Sequence, residues 1–194
     1  MPLTHDSLRD ALATLGSILE DRGYSYEVVV IGGGALLLIG LITRSTKDLD
    51  VVALADGDKW SRASPLPKPL TQAVKDVADA LDLADDWLNA GPTDLLDFGL
   101  PEGFASRTTV ERFGSLTVRY ASRIDQVAFK LSAAADHWPD RSKHLHDLRA
   151  LSPSVEDLVA AARWCTTHDT SAGFRDVQFA PVLLIFGVTD VPRE

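Results

Sequence analysis

Ile31-Gly-Gly-Gly-Ala35-Leu-Leu-Leu-Ile39-Gly-Leu-Ile-Thr-Arg44-Ser-Thr-Lys-Asp48-Leu-Asp50-Val51 is the stretch on which the reading of the whole chain turns. It is entered from Glu27-Val-Val-Val-Ile31, a β-branched run that reads as a strand. The three glycines read as a turn, residues 35–41 have the composition of a buried helix, and residues 49–54 read as the next strand. Glycine at a strand-to-helix junction lets backbone N–H groups and the positive helix end approach an anion. The plainer alternative is a tight turn that packs a buried helix on the sheet. Two familiar phosphate loops are excluded, because no Gly-Lys-Ser/Thr follows at the Walker spacing and Leu37 stands where the dinucleotide fingerprint needs glycine.

Asp48 and Asp50 sharpen the choice. At the entrance to a strand, residues i and i+2 project to the same side, about 7 Å apart along the chain. An Asp-x-Asp is commonly a solvated strand end, but this one leads into Val51 and Val52, which look bound for a core. Two such carboxylates repel unless a cation neutralises them. Mg²⁺ suits them, since it takes one or two protein carboxylates and completes its shell with water and substrate phosphates. A glycine turn for a triphosphate beside a carboxylate pair for its metal describes phosphoryl or nucleotidyl transfer.

Outward from this stretch the pattern is of alternating elements. Leu8, Leu12, Leu15, Ile18 and Leu19 recur at helical spacing between a capping Thr4 and Gly23. Residues 61–69 read as a proline-bearing loop and 70–83 as a helix. Residues 85–114 are broken by Gly91-Pro92, Gly99 and Pro101 and receive no assignment. Residues 115–120 read as a strand. A helix capped by Ser122 runs to about His137, a short one covers 143–151, and a third follows the Ser154-x-x-Asp157 box to about Thr167. Residues 174–188 favour a closing helix, with Pro181 against it. The expectation is a sheet part over residues 1–120 and a helical part over 121–194 packed on it, without a flexible linker.

The chain has 194 residues, 45% of them hydrophobic, enough for a sizeable core. Cys165 is its one cysteine, so no disulfide framework or cysteine zinc site is possible and a cytoplasmic location is expected. The longest apolar run, residues 28–42, is shorter than a membrane span, and no membrane partner is expected. The net charge of −9 argues against indiscriminate adhesion to nucleic acid. It is segregated: Arg107, Arg112, Arg119, Arg123, Lys130, Arg141, Lys143 and Arg149 crowd one third of the chain, as an RNA groove or as a solvated face.

With these residues in view the sequence resembles the nucleotidyltransferase superfamily, whose signature is strand, Gly-Gly or Gly-Ser, helix, and Asp-x-Asp on the next strand. The spelling Gly33-Gly34-Ala-Leu, then Arg44-Ser-Thr-Lys-Asp48-Leu-Asp50, is most similar to the AbiEii and MenT branch of bacterial toxin–antitoxin systems. Ile124-Asp-Gln-Val-Ala-Phe-Lys130 and Lys143-His-Leu-His-Asp147 occupy the places of that branch's later lysine and aspartate motifs. The resemblance spans about residues 28–164.

It implies an α/β (α+β) fold, with a mixed nucleotidyltransferase-like sheet, flanking helices and a C-terminal helical bundle. It implies that Asp48 and Asp50 hold a catalytic Mg²⁺, that Gly33 and Gly34 line the phosphates of an NTP, and that the Thr46 hydroxyl touches them. Lys130 would stabilise charge on the triphosphate, with Asp147 orienting it or assisting the attacking hydroxyl. Read without the resemblance, Lys130 is a snorkelling side chain and Asp147 a helix-surface acid. The implied activity is NMP transfer to an acceptor hydroxyl, the 3′ end of tRNA, blocking translation under the control of a cognate antitoxin. The rivals are transfer to a small molecule or a protein side chain, and a silent interaction module.

Two departures stand out. The strand at 116–120 carries no third carboxylate, which the toxin branch also tends to lack, and Ala35 replaces the hydroxyl residue often found after the glycines. His144 and His146, two apart on a helix, make a poor metal pair and read as surface residues. Cys165 reads as a packing residue; Trp87 and Trp138 read as core or partner-facing.

Overall fold

Thr4 opens the first helix, α1 (His5–Asp21), through a capping box in which Thr4 and Ser7 each accept from the other's backbone N–H. Leu8, Ala11, Leu12, Leu15 and Leu19 form its buried stripe. Gly23, at φ +72°, follows the end of the helix and turns the chain into β1 (Tyr26–Ile31). Then come α2 (Gly32–Leu38), β2 (Leu49–Asp56), β3 (Lys59–Arg62), α3 (Lys68–Leu81), the two-residue β4 (Leu88–Asn89), the short helices α4 (Asp94–Phe98) and α5 (Phe104–Arg107), and the pair β5 (Thr109–Phe113) and β6 (Leu116–Tyr120). Among the described residues, four helices follow: α6 (Arg123–Asp136), α7 (Lys143–Ala150), α8 (Val155–His168) and α9 (Ala180–Ile185), the last entered through a π-helical turn at Phe174–Phe179.

The computed structural model describes residues 2–140 and 142–189; Arg141, one of the clustered basic residues, lies outside them. The chain divides into two units. One is formed by residues up to Leu100 with Ala105–Ala121, the other by Pro101–Phe104 and residues from Ser122 on.

The first unit is a mixed sheet in the order β3-β2-β1-β6-β5. β1 is central, antiparallel to β2 and parallel to β6, and β4 pairs parallel to the first two residues of β2. A bulge places Val29 opposite Ala53 and Val30 opposite Val51, so Val52 is the extra residue of β2. Val28, Val30, Leu49, Val51 and Val118 join the buried stripes of α1 and α3 in one core. Because strand side chains alternate, Asp50, between Leu49 and Val51, points to the opposite face. Trp87 belongs to the core, fully buried, its Nε1 donating to the Val74 carbonyl at 3.0 Å.

In the second unit α6 is the central helix, capped by the Ser122 hydroxyl and packed against α7 and α8. Arg123 ties α6 to the start of α8 by ion-pairing Asp157 and donating to the Leu151 carbonyl at 3.0 Å. Phe129 meets Trp164 edge-on at 5.3 Å. Cys165 is buried against α6, with burial raising its thiol pKa, as befits a packing residue.

Several boundaries differ from the sequence reading. The glycines do not precede α2 but form its first turn, and the helix stops at Leu38. Residues 59–62, half of them read as loop, form the exposed edge strand β3, whose polar side chains hide its pattern. The unassigned segment contains β4, a 3-10 turn at Gly91–Thr93, the short helices α4 and α5, and β5. Pro181 falls in the first turn of α9, where a missing N–H is tolerated. No helix among the described residues is long and apolar enough to cross a membrane.

One close approach fixes α1 on the sheet. A Cβ at Gly16 would lie 1.7 Å from the Phe113 carbonyl oxygen. Arg9 adds a two-pronged contact to Glu111, holding that carboxyl below its usual range, and Glu111 also accepts from the Tyr120 hydroxyl at 3.0 Å. Gly16→Ala should therefore force α1 from the β5–β6 turn and lower stability by about 3 kcal/mol, read from urea unfolding.

Candidate functional site

The bare faces of three consecutive glycines carry the geometry. A Cβ at Gly32 would lie 2.6 Å from Asp50 Oδ2. One at Gly33 would lie 3.2 Å from Arg44 Nη2 and 3.3 Å from Thr46 Oγ1. One at Gly34 would lie 2.6 Å from the Asp48 carbonyl oxygen and 3.1 Å from Leu49 Cα. The space left by the missing side chains is thus taken by the chain's own segment 44–50, which closes down on the first turn of α2. Gly32 additionally sits at φ +78°, where a side chain would be strained.

Thr46 shapes this segment from the other side. It is 7% exposed, pairs its backbone with Leu3 through bonds of 2.7 and 2.9 Å, and donates its hydroxyl to the Asp48 carbonyl at 3.2 Å. The Leu3 bridge anchors the segment on one side, and the Leu49 N–H bond to the Trp87 carbonyl at 2.7 Å anchors it on the other. Asp48 and Asp50 are half-buried. Asp50 lies between Ile31 on β1 and Asn89 on β4, its register partners.

Lys130 and Asp147 meet in the second unit. Lys130 Nζ is 2.8 Å from Asp147 Oδ2, and both side chains are buried, 5% and 0% exposed. Lys130 does not snorkel to solvent and Asp147 is not a surface acid; α6 and α7 hold them as an interior ion pair. Breaking such a pair from one side leaves a buried charge. The structure therefore gathers the candidate residues into two groups, Gly33, Gly34, Thr46, Asp48 and Asp50 in one unit and Lys130 with Asp147 in the other.

His144 departs from its reading as a surface residue. It is half-buried, its ring centroid 4.9 Å from that of His137, and its Nδ1 has no hydrogen-bond partner among the described residues. Burial, followed by the charges of Lys130, His137 and Lys143, pushes its pKa down to about 4, with Asp147 acting in the opposite sense. His146 is exposed.

Two residues beside the candidate site escape the sequence reading. Spacing gives Arg44 no role, because it does not reveal that the guanidinium folds over Gly33. Asn89 lies on a strand too short to recognise, yet stands in register with Asp50 at a neighbouring-strand position. Its Oδ1 accepts from the Gly91 N–H at 2.8 Å.

A central strand running into a glycine-opened helix, with an Asp-x-Asp segment leading into the antiparallel neighbour and folded back against those glycines, defines a nucleotidyltransferase-type sheet. The model of the family described as nucleotidyltransferase of unknown function (DUF6036) matches residues 7–172, and the chain belongs to that family. No curated protein and no solved structure matches the chain.

Two outcomes follow from the geometry. Gly34→Ala meets backbone and should lower stability by about 2 kcal/mol, whereas Gly33→Ala meets only side-chain ends and should lower it by less than about 1 kcal/mol, both read as shifts in the urea midpoint. His144 is neutral in the folded chain while its unfolded counterpart protonates near pH 6.5. Stability should therefore fall as pH drops from 6.5 towards 4, and His144→Asn should flatten that slope in unfolding measured across the window.

Proposed function

We propose that the protein is a Mg²⁺-dependent nucleotidyltransferase that moves NMP from an NTP to an acceptor hydroxyl and releases pyrophosphate. The observation that carries this reading is the closure of segment 44–50, with both aspartates, onto the glycine turn. Asp48 and Asp50 offer carboxylate oxygens alone, a donor set for a hard cation. Among the described residues no group of three or more His, Cys, Asp or Glu is gathered for a metal, so Mg²⁺ here would complete its shell with water and nucleotide oxygens. When bound, the ion would polarise the α-phosphate and neutralise charge.

The chain's own residues have the following parts in this reading. Asp48 and Asp50 hold the ion. Gly33 and Gly34 admit the aspartate segment and border the phosphates, and Thr46 sets the Asp48 carbonyl and lies next to the same phosphates. The resemblance gives Lys130 the task of stabilising charge on the triphosphate, with Asp147, its buried ion-pair partner, as the carboxylate that would orient it. The 2.8 Å contact supports that last assignment.

For the acceptor, the resemblance to the AbiEii and MenT branch favours the 3′ end of tRNA. On this reading the protein is a cytoplasmic toxin that blocks translation and is neutralised by a cognate antitoxin. Of the clustered basic residues, Arg112, Lys143 and Arg149 are exposed and could meet RNA, whereas Arg119 and Arg123 are ion-paired with Glu27 and Asp157.

A second reading has its own observation. A shallow, open depression bordered by Arg62, Ser64, Thr71, Asp85, Asp86 and Asn89 lies beside Asp50's neighbour strand, and its acidic side chains suit a small hydroxyl-bearing acceptor better than a polyanion.

Incubation of the protein with each labelled NTP, Mg²⁺ and either total RNA, protein or small polyhydroxy acceptors separates these readings. Label should enter RNA of tRNA size, and Asp50→Asn should reduce incorporation at least about 100-fold. Label in the small-molecule arm alone would move the acceptor to the second reading. No label in any arm, with growth inhibition unchanged by Asp48→Ala, would leave a silent interaction module.

A further inference from the structure

A triphosphate brought to two carboxylates needs positive charge beyond the metal ion, and the first unit places a guanidinium in the middle of the glycine turn. The three glycine faces meet, in order, the Asp50 carboxylate, the Arg44 guanidinium with the Thr46 hydroxyl, and the Asp48 backbone. Arg44 Nη2 and Nη1 lie 3.2 and 3.8 Å from the position a Gly33 Cβ would take. Nη1 donates to the Ser45 carbonyl at 3.2 Å, which fixes the plane of the fork against its own loop. The residue is half-buried, so its charge is neither fully screened by water nor sealed from a ligand.

Four other arginines of this unit pair with carboxylates on other elements. Arg9 holds Glu111, Arg22 holds Asp76, Arg62 holds Asp94 and Asp97, and Arg119 holds Glu27. Those pairs join helices and strands to one another. Arg44 instead lies within the segment that carries both aspartates, and it contacts a glycine whose missing side chain makes the approach possible. A guanidinium presents its N–H groups as a planar fork that matches two oxygens of one phosphate, which a lysine ammonium does not.

We propose that Arg44 is a nucleotide-binding residue, which offsets the Asp48 and Asp50 charges before a cation arrives and grips non-bridging oxygens of the β- or γ-phosphate once the metal–triphosphate is seated. The proposal rests on the transferase reading and assigns to it a phosphate contact within the sheet unit itself. It divides the labour of charge: the aspartates take the cation, and the arginine between their attachment points takes the part of the nucleotide that leaves as pyrophosphate. Gly33 acquires a reason of its own, since a side chain there would press on the fork and on the Thr46 hydroxyl.

The test is calorimetric titration of the full chain with each NTP and each NMP in Mg²⁺, for the wild type, Arg44→Ala and Arg44→Lys. A phosphate contact of this kind is worth about a 30-fold change in affinity. Arg44→Ala should weaken binding of the preferred triphosphate by about that factor and of its monophosphate by less than about 3-fold, with Arg44→Lys in between. Equal weakening of tri- and monophosphate would assign Arg44 to the shape of the turn and overturn the proposal, as would unchanged binding of both. Should Arg44→Ala fail to fold, Arg44→Gln keeps the stem and a donor for Ser45 and is read in the same way. A wild type that binds no triphosphate overturns the transferase reading and this proposal together, whereas tight wild-type binding that Arg44→Ala leaves intact overturns this proposal alone.

Discussion

The candidate site depends on the contact between the Gly32–Gly34 faces and the segment carrying Arg44, Thr46, Asp48 and Asp50. A distance of 2.6 Å from an imagined Gly34 Cβ to the Asp48 carbonyl means that the segment could not lie where it does with a side chain on Gly34, and the same distance from a Gly32 Cβ to Asp50 Oδ2 means that the Asp50 carboxylate would have to move. Close packing turns the absence of three small groups into a positional constraint on two acids. The constraint is backbone-to-backbone at Gly34 and backbone-to-side chain at Gly32 and Gly33. Gly34 therefore sets the path of the chain, and the other two set where charged groups settle.

Around this contact the sheet supplies rigidity. Leu49 and Val51 are buried on the core face, which fixes the opposite orientation of Asp50, and the bulge at Val52 restarts the alternation beyond it. β2 is held along one side by β1 and along the other by β4 and β3 in succession, so the strand that bears the aspartate has partners from end to end. The helical unit uses a different device. Lys130 and Asp147 form a buried ion pair, where mutual attraction has to offset the loss of hydration. A motif of that kind specifies geometry more than it adds stability.

Much of this was legible in the chain. Helices begun by Thr4, Ser122 and Ser154 announce themselves, because a capping hydroxyl followed by a periodic apolar stripe is a local signal. The strand, glycines, helix and strand from Glu27 to Leu54 were equally plain in kind, though the glycines proved to belong inside α2. What stayed hidden was non-local or weak. β3 and β5 are polar, exposed strands whose pairing partners define them, and β4 is two residues long. The Asp48–Asp50 pair could be read from spacing, but the seat of Arg44 over Gly33 could not, since nothing in the order of residues tells which way a long side chain folds. Lys130 and Asp147 could be picked out through family likeness alone; on its own terms a lysine amid alanines and leucines is indistinguishable from one that reaches for water.

The placement of β1 also orders events in time. Its antiparallel neighbour β2 follows it closely, whereas its parallel neighbour β6 is distant in sequence: Val28 pairs with Leu54 on one side and with Val118 on the other. A growing chain leaving the ribosome can therefore close the glycine–aspartate contact while half of the sheet is still unmade, and the slower, long-range closure comes later. Lys130 and Asp147 are translated later still, so the ion pair of the helical unit can form only after the glycine–aspartate contact has become possible.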